Sequence, residues 1–104
     1  MSPPRILIVD DDADMVSLVR EELGHHGFEV LPARSGTEGL QVLRDQPVDV
    51  VVTDLRMQDI DGMEILRATS DIQPEAKVIM ITAFGIIASA IGAMRAGAFD
   101  YLSK

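Results

Sequence analysis

The stretch "ILIVDDDADM", from Ile6 to Met15, runs from four aliphatic residues directly into three consecutive aspartates. A short aliphatic run such as this one, which begins at Arg5 and ends at Val9, is typical of a strand covered on both faces. Adjacent carboxylates repel one another and resist burial. The aspartates therefore form either a solvated turn that caps a helix or a site that holds a cation.

The same alternation of strand and helix continues along the chain. After the first strand we predict a helix over 14–23, a strand over 28–31, a helix capped by Ser35, a strand in the β-branched run 48–52, a loop over 55–61, a helix after Asp61-Gly62, a strand over 77–81, a helix over 86–96 and a strand over 99–102. Each crossover contains a helix, so the strands pair in parallel. The predicted fold class is α/β, a doubly wound five-stranded parallel sheet.

Length, charge and composition narrow the class of protein. The 104 residues suffice for one core but not for two. Nine Lys and Arg against 17 Asp and Glu give a net charge of -8, which disfavours direct contact with nucleic acid. The absence of cysteine excludes disulfides and thiolate metal sites. No apolar stretch approaches the roughly 20 residues of a membrane span, and we expect a cytoplasmic protein with no membrane partner.

Polar residues follow several of the predicted strands. Asp10 to Asp12 follow the first strand, Asp54 the third, Thr82 the fourth and Lys104 the fifth. In doubly wound sheets, ligands bind beyond the carboxyl ends of the strands. Carboxylates from two strands suit Mg²⁺, while a hydroxyl and an ammonium suit phosphoryl oxygens. The pattern favours phosphoryl transfer, and a carboxylate could itself accept the group as an acyl phosphate.

Five ordered motifs, "IVDDD", "VVVTDLRM", "DG", "MITAFG" and "GAFDYLSK", cover essentially the whole chain. Together they resemble the receiver domain of bacterial two-component response regulators. The last two also resemble regulators of the nitrogen-regulatory (NtrC-like) type, in which the receiver precedes an ATPase and a DNA-binding output domain. The resemblance implies the flavodoxin-like strand order 2-1-3-4-5, and a phosphoacceptor switch for signal transduction and transcription regulation rather than an enzyme.

The resemblance also implies a metal site. Asp54 would accept a phosphoryl group from a histidine kinase in a Mg²⁺-dependent reaction. Asp10, Asp11, Asp54 and the backbone carbonyl of Arg56 would hold the metal. Asp12 would cap the following helix, although three aspartates in a row leave the register open, and Asp12 could replace Asp10 in the acidic pair.

The remaining roles implied by the resemblance lie on the fourth and fifth strands. Thr82 and Lys104 would contact the phosphoryl oxygens, and Tyr101 would move with Thr82 in the switch. Gln58 stands where the family often has proline, which predicts a more mobile loop after Asp54. The adjacent His25 and His26 lack a third ligand and receive no role.

Two other functions compete with this one. Asp10-x-Asp12 resembles the first motif of haloacid-dehalogenase-type phosphatases, in which Asp10 would be the nucleophile. Ala13 departs from that motif, and the catalytic cores of those enzymes are longer. The second alternative is a degenerate receiver used only for protein interaction, which the intact set of polar residues disfavours.

The end of the chain leads to a further expectation. A receiver normally continues into a fifth helix after the lysine of the last strand, so we expect a receiver domain over 1–104 that lacks this helix. One face of the sheet would then expose apolar side chains. The helix predicted over 86–96 is also apolar around much of its circumference. We expect self-association through that helix and the exposed sheet face, or marginal stability.

Overall fold

The computed structural model describes residues 3–55, 57–82 and 100–103, with Thr82 and the last four residues described by their backbone alone. The elements in chain order are β1 (Arg5–Val9), α1 (Ala13–His25), β2 (Glu29–Ala33), α2 (Gly36–Asp45), β3 (Val50–Asp54), α3 (Gly62–Ile72), β4 (Lys77–Thr82) and β5 (Asp100–Ser103). From β1 to β4, strands and helices alternate as predicted. The helix predicted over 86–96 lies outside the described residues.

The five strands form one parallel sheet in the order β2-β1-β3-β4-β5. This confirms the predicted fold class and strand order. The chain adds β2 on one side of β1 and then returns to add β3 on the other side, so the order reverses between β1 and β3. In the register of this pair, Val9 lies beside Thr53. The residues that follow these two strands therefore emerge side by side at the reversal point, where doubly wound sheets bind ligands.

β2 and β3 differ most from their predicted bounds, whereas β4 and β5 differ by a single residue at their ends. β2 extends through Pro32 to Ala33, since it is an edge strand, where proline does not interrupt a ladder. β3 begins at Val50 rather than at 48, because the Val48 N–H donates to the side chain of Gln73 (2.8 Å) instead of to a neighbouring strand. The chain therefore enters β3 two residues later than its run of β-branched residues indicates.

The sheet separates two apolar layers. On one face, α2 and α3 cover the main core, which includes Leu7, Leu43, Val51, Ile65, Leu66 and Met80. On the other face, Val16 of α1 packs with Ile6 and Ile8 of β1. Val50 and Val52 of β3 lie on this second face and are only half-buried. Within the described residues, the α1 side of the sheet is thus the less completely covered of the two.

Each of the three helices in the described part of the chain begins at a side-chain cap. The Asp12 carboxylate accepts hydrogen bonds from the N–H groups of Asp14 (3.0 Å) and Met15 (3.2 Å), which confirms the predicted cap of α1. Ser35 caps α2 and Asp61 caps α3 in the same way. These caps satisfy N–H groups that have no partner within the helix. None of the helices among the described residues is long and apolar enough to cross a membrane.

Candidate functional site

Three carboxylates meet at the reversal point of the sheet. Asp10 directly follows β1, Asp11 comes next, and Asp54 ends β3. One carboxylate oxygen from each lies within 4.8 Å of the other two. Asp10 is buried, with 2 % of its surface exposed, whereas Asp54 is half-buried and Asp11 is exposed. The group therefore has a buried floor and an open side through which a ligand can approach.

The spacing of these oxygens fits a small divalent cation. Mg²⁺ binds oxygen at about 2.1 Å in an octahedron, so its ligand atoms lie about 3 to 4 Å apart. The three oxygens lie within 4.8 Å of one another, so only small side-chain adjustments would be needed to reach that spacing. Oxygen-only donors also match the preference of Mg²⁺ for hard ligands. The donor set therefore fits the expected metal, which would offset the mutual repulsion of the carboxylates.

Asp12 is engaged differently from its two neighbours. Its carboxylate is turned to the N-terminus of α1, and its own N–H donates to Oδ1 of Asp10 at 3.0 Å. That hydrogen bond orients the Asp10 carboxylate within the group. The geometry therefore favours Asp10 and Asp11 as the acidic pair, with Asp12 as the helix cap.

The loop after Asp54 closes tightly onto α3. The Gly62 N–H donates to the Leu55 carbonyl oxygen at 2.8 Å, and the Asp61 side chain caps α3. A Cβ atom added at Gly62 would overlap the carbonyl oxygen of Asp54 and lie 2.9 Å from Cα of Leu55. Only glycine permits this approach, so the start of α3 rests directly on the backbone of Asp54.

Asp59 anchors the same loop to a different helix, and sequence reasoning missed this residue. Its carboxylate accepts hydrogen bonds from the N–H groups of Gly36 (3.0 Å) and Thr37 (2.9 Å), and from Oγ1 of Thr37 (2.7 Å). Hydrogen bonds from Thr37 hold the pKa of Asp59 well below its usual range. The bond from the Thr37 side chain contributes most, and the bond from its backbone N–H comes next. The only signal in the sequence is an acidic residue in a loop, which does not identify its partner.

The other expected site residues are only partly described. β4 pairs with β5 so that Thr82 lies beside Ser103 and Tyr101 beside Met80. The backbone of Thr82 therefore follows the Asp54–Ile81 pair at the same edge of the sheet. The side chains of Thr82 and Tyr101, and the whole of Arg56 and Lys104, lie outside the described residues. Their roles stay predictions.

Comparisons with known proteins agree with this architecture. Residues 6–104 match the family described as "Response regulator receiver domain". The chain is 41% identical over 102 residues to transcriptional regulatory protein GlrR of Escherichia coli, covering 98% of this chain and 23% of that protein. It is 38% identical over 104 residues to response regulator protein PilR of Pseudomonas aeruginosa, covering 100% and 23%. The chain thus spans less than a quarter of the length of these relatives.

Solved structures give the same result. A receiver domain from Clostridium thermocellum superposes with a TM-score of 0.91 at 41% identity, covering 97% of this chain and 82% of that one. Response regulator TrrA of Thermotoga maritima, solved in complex with Mg²⁺ and BeF, superposes with a TM-score of 0.87 at 33% identity, covering 97% and 86%.

The phosphatase alternative with Asp10 as nucleophile is not supported. The family match and the relatives are receivers and response regulators, and the buried Asp10 carboxylate accepts a hydrogen bond from Asp12. The resemblance drawn from the five motifs is confirmed, including the NtrC-like type of the relatives. The chain belongs to the receiver domain family of two-component response regulators.

Proposed function

We propose that Asp54 accepts a phosphoryl group from the phosphohistidine of a histidine kinase, in a reaction that requires Mg²⁺. Asp10, Asp11 and Asp54 would hold the metal together with the backbone carbonyl of Arg56. The observation that carries this proposal is the meeting of the three carboxylates at the reversal point of the sheet. It brings together residues separated by more than 40 positions in the sequence.

The environments of the three carboxylates favour Asp54 as the acceptor. Asp10 is buried and one of its oxygens accepts a hydrogen bond from Asp12, so it lacks the access that an incoming phosphohistidine needs. Asp11 is exposed in the turn before α1. Asp54 is half-buried at the end of β3, and its backbone is braced by Gly62. A nucleophile held in this way is both accessible and fixed in position.

The chemistry is a transfer between two nucleophiles. A carboxylate oxygen of Asp54 would bond to phosphorus as the phosphorus–nitrogen bond breaks, and the histidine would keep the electron pair and take up a proton. When bound, Mg²⁺ would neutralise the phosphoryl oxygens and the carboxylates, which otherwise repel one another. The product is an acyl phosphate on Asp54.

Residues at the fourth and fifth strands would respond to phosphorylation of Asp54. We propose that the Thr82 hydroxyl and the Lys104 ammonium contact the phosphoryl oxygens, and that Tyr101 turns inward as Thr82 moves. The pairing of β4 with β5 supports this, because the Tyr101 and Thr82 positions lie on neighbouring strands only two places apart in the register. Phosphate would then bias a two-state surface.

The proposed partners follow from the relatives. GlrR is a transcriptional regulatory protein more than four times as long as the aligned region. We propose that residues 1–104 act as a receiver domain, with an output region, an ATPase plus a DNA-binding domain, in a longer cytoplasmic protein. The net charge of -8 supports the proposal that the receiver itself does not bind nucleic acid.

Self-association is the remaining proposal about partners. The half-buried Val50 and Val52 on the α1 side of the sheet offer an apolar surface, and the sequence of 86–96 offers a second one. Sedimentation over a concentration series tests this. A monomer at the highest concentration would contradict it.

Labelling of the chain with acetyl phosphate or a phosphorylated kinase, followed by borohydride reduction and mass spectrometry, tests the proposed acceptor. We expect label on Asp54 alone, and none in Asp54→Asn. Asp12→Asn is the matched control. It makes the same aspartate-to-asparagine substitution at a carboxylate two residues after Asp10, and that carboxylate caps a helix. We expect it to keep the label. Label on Asp10 in the wild-type chain would refute the assignment.

A further inference from the structure

We propose that Asp59 is a positioning residue, which holds the loop after Asp54 in the conformation that the metal site requires by fastening it to the N-terminus of α2. This inference rests on the proposed function, since it concerns the same Mg²⁺ site. It assigns no contact between Asp59 and the metal. Asp59 acts through the backbone of its loop.

The loop over 55–61 is hydrogen-bonded to the rest of the chain at both of its ends. At its start, the Leu55 N–H donates to the Ile81 carbonyl oxygen (3.0 Å), and at its end Gly62 donates to Leu55 while Asp61 caps α3. These contacts fix the two ends. The expected backbone ligand of the metal, two residues after Asp54, lies between them in the sequence. The segment 55–61 contains no proline, so none of its residues has the φ angle fixed by a ring.

Asp59 supplies a further restraint between the two ends of the loop. Its carboxylate receives three hydrogen bonds from two consecutive residues at the start of α2, two of them from backbone N–H groups. These N–H groups belong to the first turn of a helix, where the helix dipole favours a negative charge. Hydrogen bonds to an ionised acceptor are stronger than neutral ones. The depressed pKa of Asp59 has the same cause.

Close packing reinforces this contact. A Cβ atom added at Gly36 would lie 2.6 Å from Cβ of Ile60, 2.8 Å from the Ile60 carbonyl oxygen and 3.3 Å from Oδ1 of Asp59. The loop backbone therefore rests on the first residue of α2 with no space between them. Since the other end of the loop rests on Asp54 through Gly62, a shift of the loop away from α2 would displace the backbone beside the acidic group.

Isothermal titration of Mg²⁺ into the chain, without a phosphate donor, tests the inference. We expect Asp59→Ala to weaken Mg²⁺ binding about tenfold, the lower end of the loss seen when a group that orients a metal ligand is removed. Asp45→Ala is the matched control. It removes the same charge from an exposed residue at the end of α2 whose carboxylate accepts a hydrogen bond from Gln41, and we expect an affinity within about twofold of wild type.

Thr37→Val separates positioning from charge. It removes one of the three hydrogen bonds and leaves the Asp59 carboxylate in place, so a loss of about two- to fivefold is expected for positioning and none for a charge effect. It also serves if Asp59→Ala does not fold. As an independent readout, the amide NMR signals of Gly36 and Thr37 should shift on addition of Mg²⁺ in the wild-type chain and not in Asp59→Ala.

The outcomes distinguish this inference from the proposed function. Wild-type binding of Mg²⁺ with unchanged affinity in Asp59→Ala and Thr37→Val would overturn the positioning role alone. Amide signals of Gly36 and Thr37 that do not shift when Mg²⁺ is added to the wild-type chain would also overturn it. A wild-type chain that does not bind millimolar Mg²⁺ would refute the proposed function, and the positioning role with it.

Discussion

Replacing Gly62 with alanine should both displace Asp54, the proposed acceptor, and destabilise the fold. The added methyl group would overlap the Asp54 carbonyl oxygen and approach Cα of Leu55 to 2.9 Å and the sulfur of Met80 to 3.1 Å. Two of these three neighbours are backbone atoms, which cannot rotate away as a flexible side chain can. The methyl group can be accommodated only if α3 moves away from β3 or if the Asp54 peptide is displaced.

The expected cost follows from this overlap. Forcing an extra methyl group into a packed site typically costs about 1–3 kcal/mol. The helix propensity of alanine returns less than about 1 kcal/mol, because Gly62 is the first residue of α3. We therefore expect a net loss of about 2 kcal/mol in the free energy of unfolding, which corresponds to a fall of roughly 10 °C in Tm for a domain of this size. Labelling by acetyl phosphate should slow about tenfold or more, because the acceptor is misplaced.

Gly24→Ala is the matched control for this prediction. Gly24 lies within α1, and nothing approaches an added Cβ there within 4 Å. The same substitution should therefore stabilise the chain by about 0.5–1 kcal/mol and leave labelling unchanged. Urea unfolding followed by circular dichroism measures both variants. If Gly62→Ala proved as stable as Gly24→Ala, or kept the wild-type labelling rate, the inference that α3 rests on the acceptor backbone would be wrong.

Three further predictions concern the fold, the acidic group and the loop anchor. Gln73→Ala should lower the free energy of unfolding by about 2 kcal/mol, because it removes one acceptor and two donors that serve backbone groups near the end of α2 and the start of β3. Urea unfolding measures this loss. As a control, Gln41→Ala at an exposed position should change the free energy of unfolding by less than about 0.5 kcal/mol. Asp12→Ala should cost about 1 kcal/mol of stability through loss of the cap and keep Mg²⁺ binding, whereas Asp11→Ala should keep stability and lose Mg²⁺ binding; the reverse pattern in calorimetric titrations would reassign the acidic pair. Because the folded-state pKa of Asp59 is lowered, its stabilisation is present above the ordinary aspartate pKa of about 4 and is lost as the pH falls below it. The difference in Tm between the wild-type chain and Asp59→Ala should therefore be constant near neutral pH and shrink in acid, and a difference that grew in acid would contradict this assignment.

Local patterns in the sequence determined the order of the elements. The run that ends at Val9 predicts β1 with its observed bounds, since a short aliphatic segment before a polar turn has few alternatives. Asp12 and Ser35 predict caps that the structure contains, because a cap joins a side chain to N–H groups only two or three residues away. The alternation of strands and helices then implies a parallel sheet, while the strand order came from resemblance to a family.

The meeting of the acidic residues was also predictable in outline. Parallel strands end at the same edge of a sheet, so Asp10 and Asp54 were expected to converge once both were placed after strands. Which two of the three adjacent aspartates form the acidic pair was not predictable. Consecutive aspartates match the acidic pair equally well in either register. The turn geometry favours Asp10 and Asp11, because it gives the Asp12 carboxylate to α1 and the Asp12 N–H to Asp10.

Contacts between residues distant in sequence were decided by the tertiary structure alone. The Gln73 side chain accepts a hydrogen bond from Val48, 25 positions earlier, and β3 therefore begins later than predicted. The Asp59 carboxylate accepts a hydrogen bond from the N-terminus of α2, 22 positions earlier. The local sequence around these two residues does not predict which residue each one contacts. Such a hydrogen bond exists only because the packing of α2 and α3 on the same face of the sheet brings a free N–H group within reach of an oxygen.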